Sequence, residues 1–297
     1  MNSIVFLLRW CRAVLNQRKN LNHLEYIRCI LIACLTGFGL YRVGRIQVKV
    51  PFRYLPALFS GVKLAERGIT PNWKNDSLNM EIDNFKLVTS PSDQSAGATI
   101  LEAFFDDEYR LNDIDLSNAT VIDVGANIGD VAIQFIRCGA KKVYAFEPVP
   151  STFQYLKRNV LMNKLESKLE IFNYGLCSSN NKFSITIKPY ASACASTTST
   201  RNDSRYGLNK ETVEVRNILE VIKDLNLDEI TVFKCDCEGC EYNIFNKDFF
   251  DLINPSYIFV EYHNGSNYLL DLFDKHNYEY QILEKTKLVG IIYARKS

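Results

Sequence analysis

Apolar residues change their spacing along this chain, and each change marks a different kind of structure. At the amino end Ile4, Leu7, Leu8, Cys11, Val14 and Leu15 recur at helical spacing, with Arg9, Arg12 and Lys19 off the stripe. Leu24, Ile27, Leu31, Cys34 and Leu35 make a second helical stripe, which Gly37 and Gly39 end. Pro51, Pro56, Gly61, Gly68 and Pro71 then punctuate the sequence up to Trp73, which reads as a connector. Residues 80–88 alternate loosely and read as one strand. Ser90-Pro91-Ser92-Asp93 makes a turn and supplies helix-capping side chains, and Leu101–Phe105 is helical.

From about residue 120 short apolar runs alternate with amphipathic stretches. Strands are expected at 121–124, 142–146, 169–173, 230–235, 258–260, 278–283 and 288–294, with helices at 131–138, 151–162 and within 212–225. Strand and helix in alternation, joined by tight glycine turns, predict an α/β fold with a mostly parallel sheet covered on both faces. No internal repeat or low-complexity tract is visible. Residues 184–205 are small and polar, and read equally as an insertion or as a lid over a site.

Composition adds less than its distribution. With 297 residues, 47% apolar and 23% charged, the chain is long enough for one large domain with an extension or for two modest ones. The formal net charge of +1 gives no reason to expect nucleic acid as a partner. It hides an asymmetry: residues 1–50 carry eight Lys and Arg against a single Glu25, so the remainder is acidic. The division expected is therefore a basic, mostly helical N-terminal extension over 1–75 and a catalytic domain over 76–297. The basic stripes either pack on that domain or lie on an anionic membrane surface. No signal peptide or membrane-spanning helix is expected, because the longest apolar run, Cys29 to Tyr41, falls well short of the ~20 residues that a span needs. Nine scattered cysteines read as reduced thiols, which implies a cytoplasmic protein, with residues 1–50 as the surface that would meet the inner membrane face.

The chemistry concentrates in two segments. Val121-Ile122-Asp123-Val124-Gly125-Ala126-Asn127-Ile128-Gly129-Asp130 runs from an apolar strand through a Gly-x-x-x-Gly turn into a helix. Such glycines let a ligand approach the backbone at the carboxyl end of a strand. The next strand ends in Phe146-Glu147-Pro148, and a carboxylate there can accept from both hydroxyls of a ribose. Asn127 stands where a dinucleotide fingerprint needs its second glycine, and no phosphate-binding loop is present, which disfavours a nicotinamide-dependent oxidoreductase. Asp123 and Asp130 beside the turn would repel phosphate and favour a cationic ligand, and S-adenosylmethionine has that polarity.

These segments, with Phe233-Lys234-Cys235-Asp236-Cys237-Glu238-Gly239-Cys240-Glu241 and Val260-Glu261-Tyr262-His263, resemble the FkbM family of S-adenosylmethionine-dependent methyltransferases over about residues 100–265. The resemblance implies a Rossmann-like methyltransferase fold with a seven-stranded sheet. It implies a cofactor site formed by Asp123, Gly125, Asn127, Gly129, Asp130, Glu147 and Leu176, with the glycine turn at the methionine end, Glu147 at the ribose and Leu176 at the adenine. It also implies a hydroxyl acceptor on a glycan, glycolipid or related metabolite.

For catalysis the expected residues are Asp236, Glu238, Lys234 and His263. Asp236 or His263 would take the acceptor's proton, Glu238 would orient the substrate and Lys234 would hold the carboxylates. A salt-bridged structural cluster with Lys234 as counter-ion is the competing reading of the same residues. The family usually has apolar residues where Cys235, Cys237 and Cys240 stand. They are read as small buried fillers, and no metal site is assigned. A catalytically silent adaptor that docks through its basic head is the reading from another functional class.

Overall fold

The described residues of this computed structural model are 28, 32, 36–187 and 209–297. Both amino-terminal apolar stripes and most of the small polar segment at 184–205 lie outside them, so the membrane-surface and lid readings fall largely on residues not described.

Among the described residues the first strands form an antiparallel hairpin, β1 (Phe38–Val43) and β2 (Ile46–Pro51), followed by helix α1 (Leu58–Glu66). A three-stranded antiparallel sheet comes next, from β3 (Asn72–Lys74), β4 (Ser77–Ile82) and β5 (Phe85–Thr89), and then helix α2 (Ala96–Phe104). The strand–helix alternation follows as β6 (Thr120–Val124), α3 (Asp130–Arg137), β7 (Lys142–Phe146), α4 (Pro150–Met162) and β8 (Leu169–Phe172). A second three-stranded sheet contains β9 (Gly175–Cys177), β10 (Asn181–Ile187) and β11 (Asn209–Asn217). The chain then runs through α5 (Ile218–Asp224), β12 (Val232–Cys235), α6 (Glu241–Ile244), α7 (Lys247–Leu252), β13 (Tyr257–Tyr262), α8 (Asn267–Lys275), β14 (Tyr278–Glu284) and β15 (Gly290–Lys296).

The main sheet has seven strands in the order β14-β15-β13-β12-β6-β7-β8. The five from β13 to β8 are parallel, and β15 runs antiparallel between β13 and β14. Successive side chains point to opposite faces of a strand, and here both faces are apolar. Val121, Val143, Val232 and Phe259 pack against α2, α3 and α4, whereas Ile122, Phe146, Phe233 and Ile258 pack against α5, α7 and α8. Each such fully buried side chain contributes about 1.5–3 kcal/mol. This is the Rossmann-like α/β architecture expected, with both faces covered. The parallel strands all end on one edge, and that edge carries the site.

Several local expectations are corrected. Residues 80–88 are not one strand: Asp83 and Asn84 adopt left-handed φ of 47° and 73°, a two-residue hairpin turn between β4 and β5. Asn75 and Asp76 make the same kind of turn between β3 and β4, so a boundary at 75/76 falls inside a hairpin. Within the extension expected to be mostly helical, residues 38–51 form a β-hairpin that buries Val48 and Val50 on one face. The expected connector contains α1. Gly61 lies inside that helix because a Cβ there would stand 2.5 Å from the Trp73 ring, so it is a packing glycine and not a break. Finally, only 218–224 of the helix expected within 212–225 is helical, with Asn217 Oδ1 accepting from the Leu219 and Glu220 N–H groups as its cap. The residues before it alternate as strand β11.

Two buried side chains fasten the flanking elements to the sheet. Ser60 Oγ donates to the Asp93 carbonyl at 2.9 Å and accepts from the Gly97 N–H at 3.2 Å, holding α1 against α2. Asn159 on α4 accepts from the Val88 N–H at 2.7 Å and donates to the carbonyls of Val88 and Ile128. It thereby ties β5 to the glycine turn.

Candidate active site

The turn after β6 is shaped by what surrounds it. Gly125 has φ +76°, and a Cβ there would lie 1.7 Å from the Asp236 carbonyl oxygen, so the end of β12 passes directly over it. The N–H groups of Gly125 and Ala126 both donate to the Phe146 carbonyl at 3.0 Å, which binds the turn to β7. Gly129, at φ +86°, faces Leu156 of α4 at a distance that leaves no room for a side chain. Between them Asn127 is left-handed, at φ 50°, and its Oδ1 is buried with no hydrogen-bond partner among the described residues. A buried acceptor in that condition is costly unless a ligand satisfies it.

Glu147 closes the next strand and is 5% exposed. Its Oε2 accepts from the Asn127 N–H at 2.9 Å and its Oε1 from the Val149 N–H at 2.8 Å. Burial nevertheless pushes its carboxyl up to about 8, against the pull of those two donors. Asp130, at the start of α3, is raised to about 6 by burial despite the nearby charge of Lys234.

The raised Glu147 carboxyl has a consequence for stability. The folded chain holds that proton up to about pH 8, whereas an ordinary glutamate releases it near 4.5. Between those values the folded state binds more protons, so this group's contribution to stability falls as pH rises and levels off above about 8. In urea unfolding at pH 5.5 and pH 8, wild type should therefore lose more stability than Glu147→Gln; parallel pH curves for the two would contradict the assignment.

Beneath the turn lies a buried ion pair. Lys234 and Asp123 are directly opposed in the β12–β6 register, with Nζ 2.9 Å from Oδ1 and exposures of 2% and 0%. Lys234 Nζ also donates to the Gly125 carbonyl at 3.1 Å. Burial opposes the charge on the lysine, but Asp123 and Asp236 outweigh it and raise its affinity for the proton. For Asp123 burial prevails over Lys234, and its carboxyl is raised. Lys234 thus positions the turn.

At the ends of β12 and β13 the acidic groups gather. Glu238 and Gly239 are both left-handed, at φ 56° and 113°, and this tight turn brings Glu241 back under the strand ends. Glu241 is fully buried; Oε2 accepts from the Gly239 N–H at 2.8 Å, and Oε1 from the His263 N–H at 3.0 Å. His263 Nδ1 is 3.1 Å from the same Oε1, and Nε2 is 3.6 Å from Glu238. Burial works against charge on His263, yet Glu241, Glu238 and Asp236 together hold it up to about 9. Glu261 is raised to about 7, first by burial and then by the Asp236 charge, while Lys285 pulls it down.

The same turn joins Cys237 to Cys240 in a disulfide with Cα atoms 5.5 Å apart. The expectation of reduced thiols throughout therefore fails for this pair. The left-handed residues between them set that separation within bridging range. Cys235 is a free, fully buried thiol packed in the apolar core, as a filler should be.

One cavity of about 720 Å³ receives both groups of residues. Gly125, Asn127, Asp130, Glu147 and Leu176 line it together with Lys234, Asp236, Glu238 and His263. Asp123 and Gly129 are not in its wall: the first lies below it in the ion pair, and the second packs on α4. Sequence reasoning missed Tyr109, Glu108 and Lys285. Tyr109 is buried with Lys234 Nζ 5.7 Å from its ring centroid, and Lys285 bridges Glu108 at 2.5 Å and Glu261 at 3.0 Å. They come from a loop and from the β14–β15 hairpin, where no motif marks them.

The profile of the methyltransferase FkbM domain matches residues 123–280. Among curated proteins, methyltransferase sdnD of Sordaria araneosa is 28% identical over 169 residues, covering 48% of this chain and 65% of that protein. Ribosomal protein L11 methyltransferase of Vibrio campbellii is 31% identical over 137 residues, covering 44% of each. This chain thus spans less than two thirds of the length of either relative. Among solved structures, the FkbM methyltransferase of Methylobacillus flagellatus aligns with a TM-score of 0.44 at 17% identity, over 66% of this chain and 47% of that one. TYW2 of M. jannaschii in complex with AdoMet aligns with a TM-score of 0.44 at 13% identity, over 86% and 97%. The profile match covers more than half of the chain, from β6 into β14, and includes both the glycine turn and the acidic segment after β12; the chain belongs to the FkbM family of methyltransferases.

Proposed function

We propose that this chain transfers the methyl group of S-adenosylmethionine to a hydroxyl on a glycan, glycolipid or related metabolite. The observation that carries this reading is the shared cavity, in which the turn after β6 and the acidic ends of β12 and β13 open onto one space. The cavity suits the cofactor: Asn127 Oδ1 lacks a partner among the described residues, and carboxyl groups line the wall. When bound, S-adenosylmethionine supplies an electrophilic methyl on a positive sulfur. Glu147 binds the ribose hydroxyls, Leu176 borders the adenine, and Asp130 favours positive charge at the methionine end.

Methyl transfer is an in-line displacement, so most of the protein's contribution is holding two reactants together, which supplies roughly 7–11 kcal/mol. The acceptor hydroxyl must also lose its proton. His263 turns Nδ1 to the buried Glu241 carboxylate, which makes that nitrogen a donor and not a base. That leaves Asp236 as the proton acceptor, with Glu238 orienting the substrate.

The relative named for a ribosomal protein makes other acceptors the relevant comparison. Labelled S-adenosylmethionine, incubated with the protein and with cellular glycan, lipid, RNA and protein fractions, should label the glycan or lipid fraction. Label confined to RNA or protein would overturn the acceptor assignment. For the cofactor end, Glu147→Ala should weaken S-adenosylmethionine binding in calorimetry by roughly 5–100-fold, since leaving buried ribose hydroxyls without their partner costs about 1–3 kcal/mol. Unchanged affinity in the folded variant would remove Glu147 from the ribose site.

A further inference from the structure

We propose that Asp236, Glu261 and Nε2 of His263 form a divalent-cation site that holds the acceptor's hydroxyl oxygen. This deepens the hydroxyl-transfer reading and rests on it. One ligand atom from each of the three lies within 4.8 Å of the others. An ion with ligands at about 2.1–2.4 Å keeps them no more than about 4.8 Å apart, so the three atoms lie no farther apart than coordination allows.

The sheet itself sets this arrangement. In the parallel β12–β13 register Cys235 opposes Val260, which brings Asp236 beside Glu261 one residue on. His263 follows two residues later on the same face as Glu261. Two carboxylates and an imidazole from adjacent strand ends thus converge without any loop having to fold over them. Of the nearby cations, Lys234 is engaged by Asp123 and the Gly125 carbonyl, and Lys285 by Glu108 and Glu261.

The imidazole is prepared from behind. Glu241 lies outside the ligand set and is fully buried; it accepts from two backbone N–H groups and faces His263 Nδ1 at 3.1 Å. A carboxylate can only accept there, so Nδ1 carries the hydrogen, and in the neutral ring Nε2, on the cavity side, carries the lone pair. A metal-binding histidine is characteristically oriented by such a carboxylate on its other nitrogen. One imidazole and two carboxylates, with remaining positions open to water and substrate, suit Mg²⁺ or Mn²⁺ rather than a thiolate-seeking ion.

The cation's task is to stabilise negative charge on the acceptor oxygen as its proton leaves. With one oxygen of Asp236 on the ion, the other accepts that proton. The acceptor's O–H bond breaks and its O–CH₃ bond forms, while the S–CH₃ bond breaks and leaves its electron pair on a neutral sulfur. No oxidant or reductant is needed.

The test titrates Mn²⁺ into the full-length protein and follows free Mn²⁺ by electron paramagnetic resonance. One saturable site per chain is expected, weakened at least about tenfold in both Glu261→Gln and His263→Ala. In the unaltered chain, bound Mn²⁺ should also broaden the His263 ring resonances in nuclear magnetic resonance, a measurement that does not depend on either variant folding. Absence of saturable binding, or unbroadened His263 resonances at saturation, would overturn the proposal, as would wild-type affinity in both folded variants. Calorimetry with S-adenosylmethionine separates the two levels: a chain that binds the cofactor but no Mn²⁺ loses only the cation site, and one that does not bind the cofactor loses the methyltransferase reading.

Discussion

Replacing Lys234 with Met is expected to lower the free energy of unfolding by about 3–5 kcal/mol, the range found when one partner of a buried ion pair is removed. The pair is almost wholly excluded from solvent, with Lys234 2% and Asp123 0% exposed, so little screening reduces its strength. The variant strands Asp123 between β6 and β12 and removes the Nζ that donates to the Gly125 carbonyl. Two effects should therefore appear together: a lower urea midpoint with an unchanged m-value, and weaker S-adenosylmethionine binding because the turn is no longer held from below. Adding Asp123→Asn to Lys234→Met should recover much of the stability, since no unpaired charge is then buried, but not the cofactor affinity. A loss below about 1 kcal/mol in the single variant would show that Asp123 is tolerated without its partner.

Asp236→Asn is expected to reduce kcat by about 10²–10⁴-fold, the usual contribution of a positioned general base, while S-adenosylmethionine affinity changes little. The asparagine preserves the shape of the strand end, including the backbone carbonyl over Gly125, but cannot accept the hydroxyl proton. Single-turnover measurements with the acceptor fraction that takes the methyl label separate this step from binding and release. A kcat within tenfold of wild type would move the proton to another group. Glu238 is the neighbour to test next, since it lines the same cavity.

The parts of the molecule legible in the sequence share a physical cause: local patterning. Val121–Val124 is a short, mostly apolar run followed by glycine, and Lys142–Phe146 and Leu169–Phe172 are short runs of the same kind separated by amphipathic stretches, so the parallel strands and their order along the chain could be read. The β12 alternation was equally plain, with Phe233 and Cys235 in the apolar core and Lys234 on the opposite face. Turns were less legible. Asp83-Asn84 looks like the interior of a polar-alternating strand until its left-handed backbone is known, and Gly61 looks like a helix breaker until Trp73 is seen against it. At Gly61 a residue on another element decides the local structure, and at Asp83-Asn84 the pairing of β4 with β5 does.

Read alone, the sequence determined the α/β class, the glycine turn, the acidic end of the second parallel strand and the family's acidic segment, because each is a run of residues whose spacing is its own signal. It could not determine which charges are partners. Tertiary structure decided that Lys234 belongs to Asp123 and the turn, that Glu241 lies behind His263, and that Lys285 arrives from the last hairpin to meet Glu261. Pairing between charges depends on strand register and burial, and both arise only when separate segments are laid side by side, more than a hundred residues apart in the case of β6 and β12.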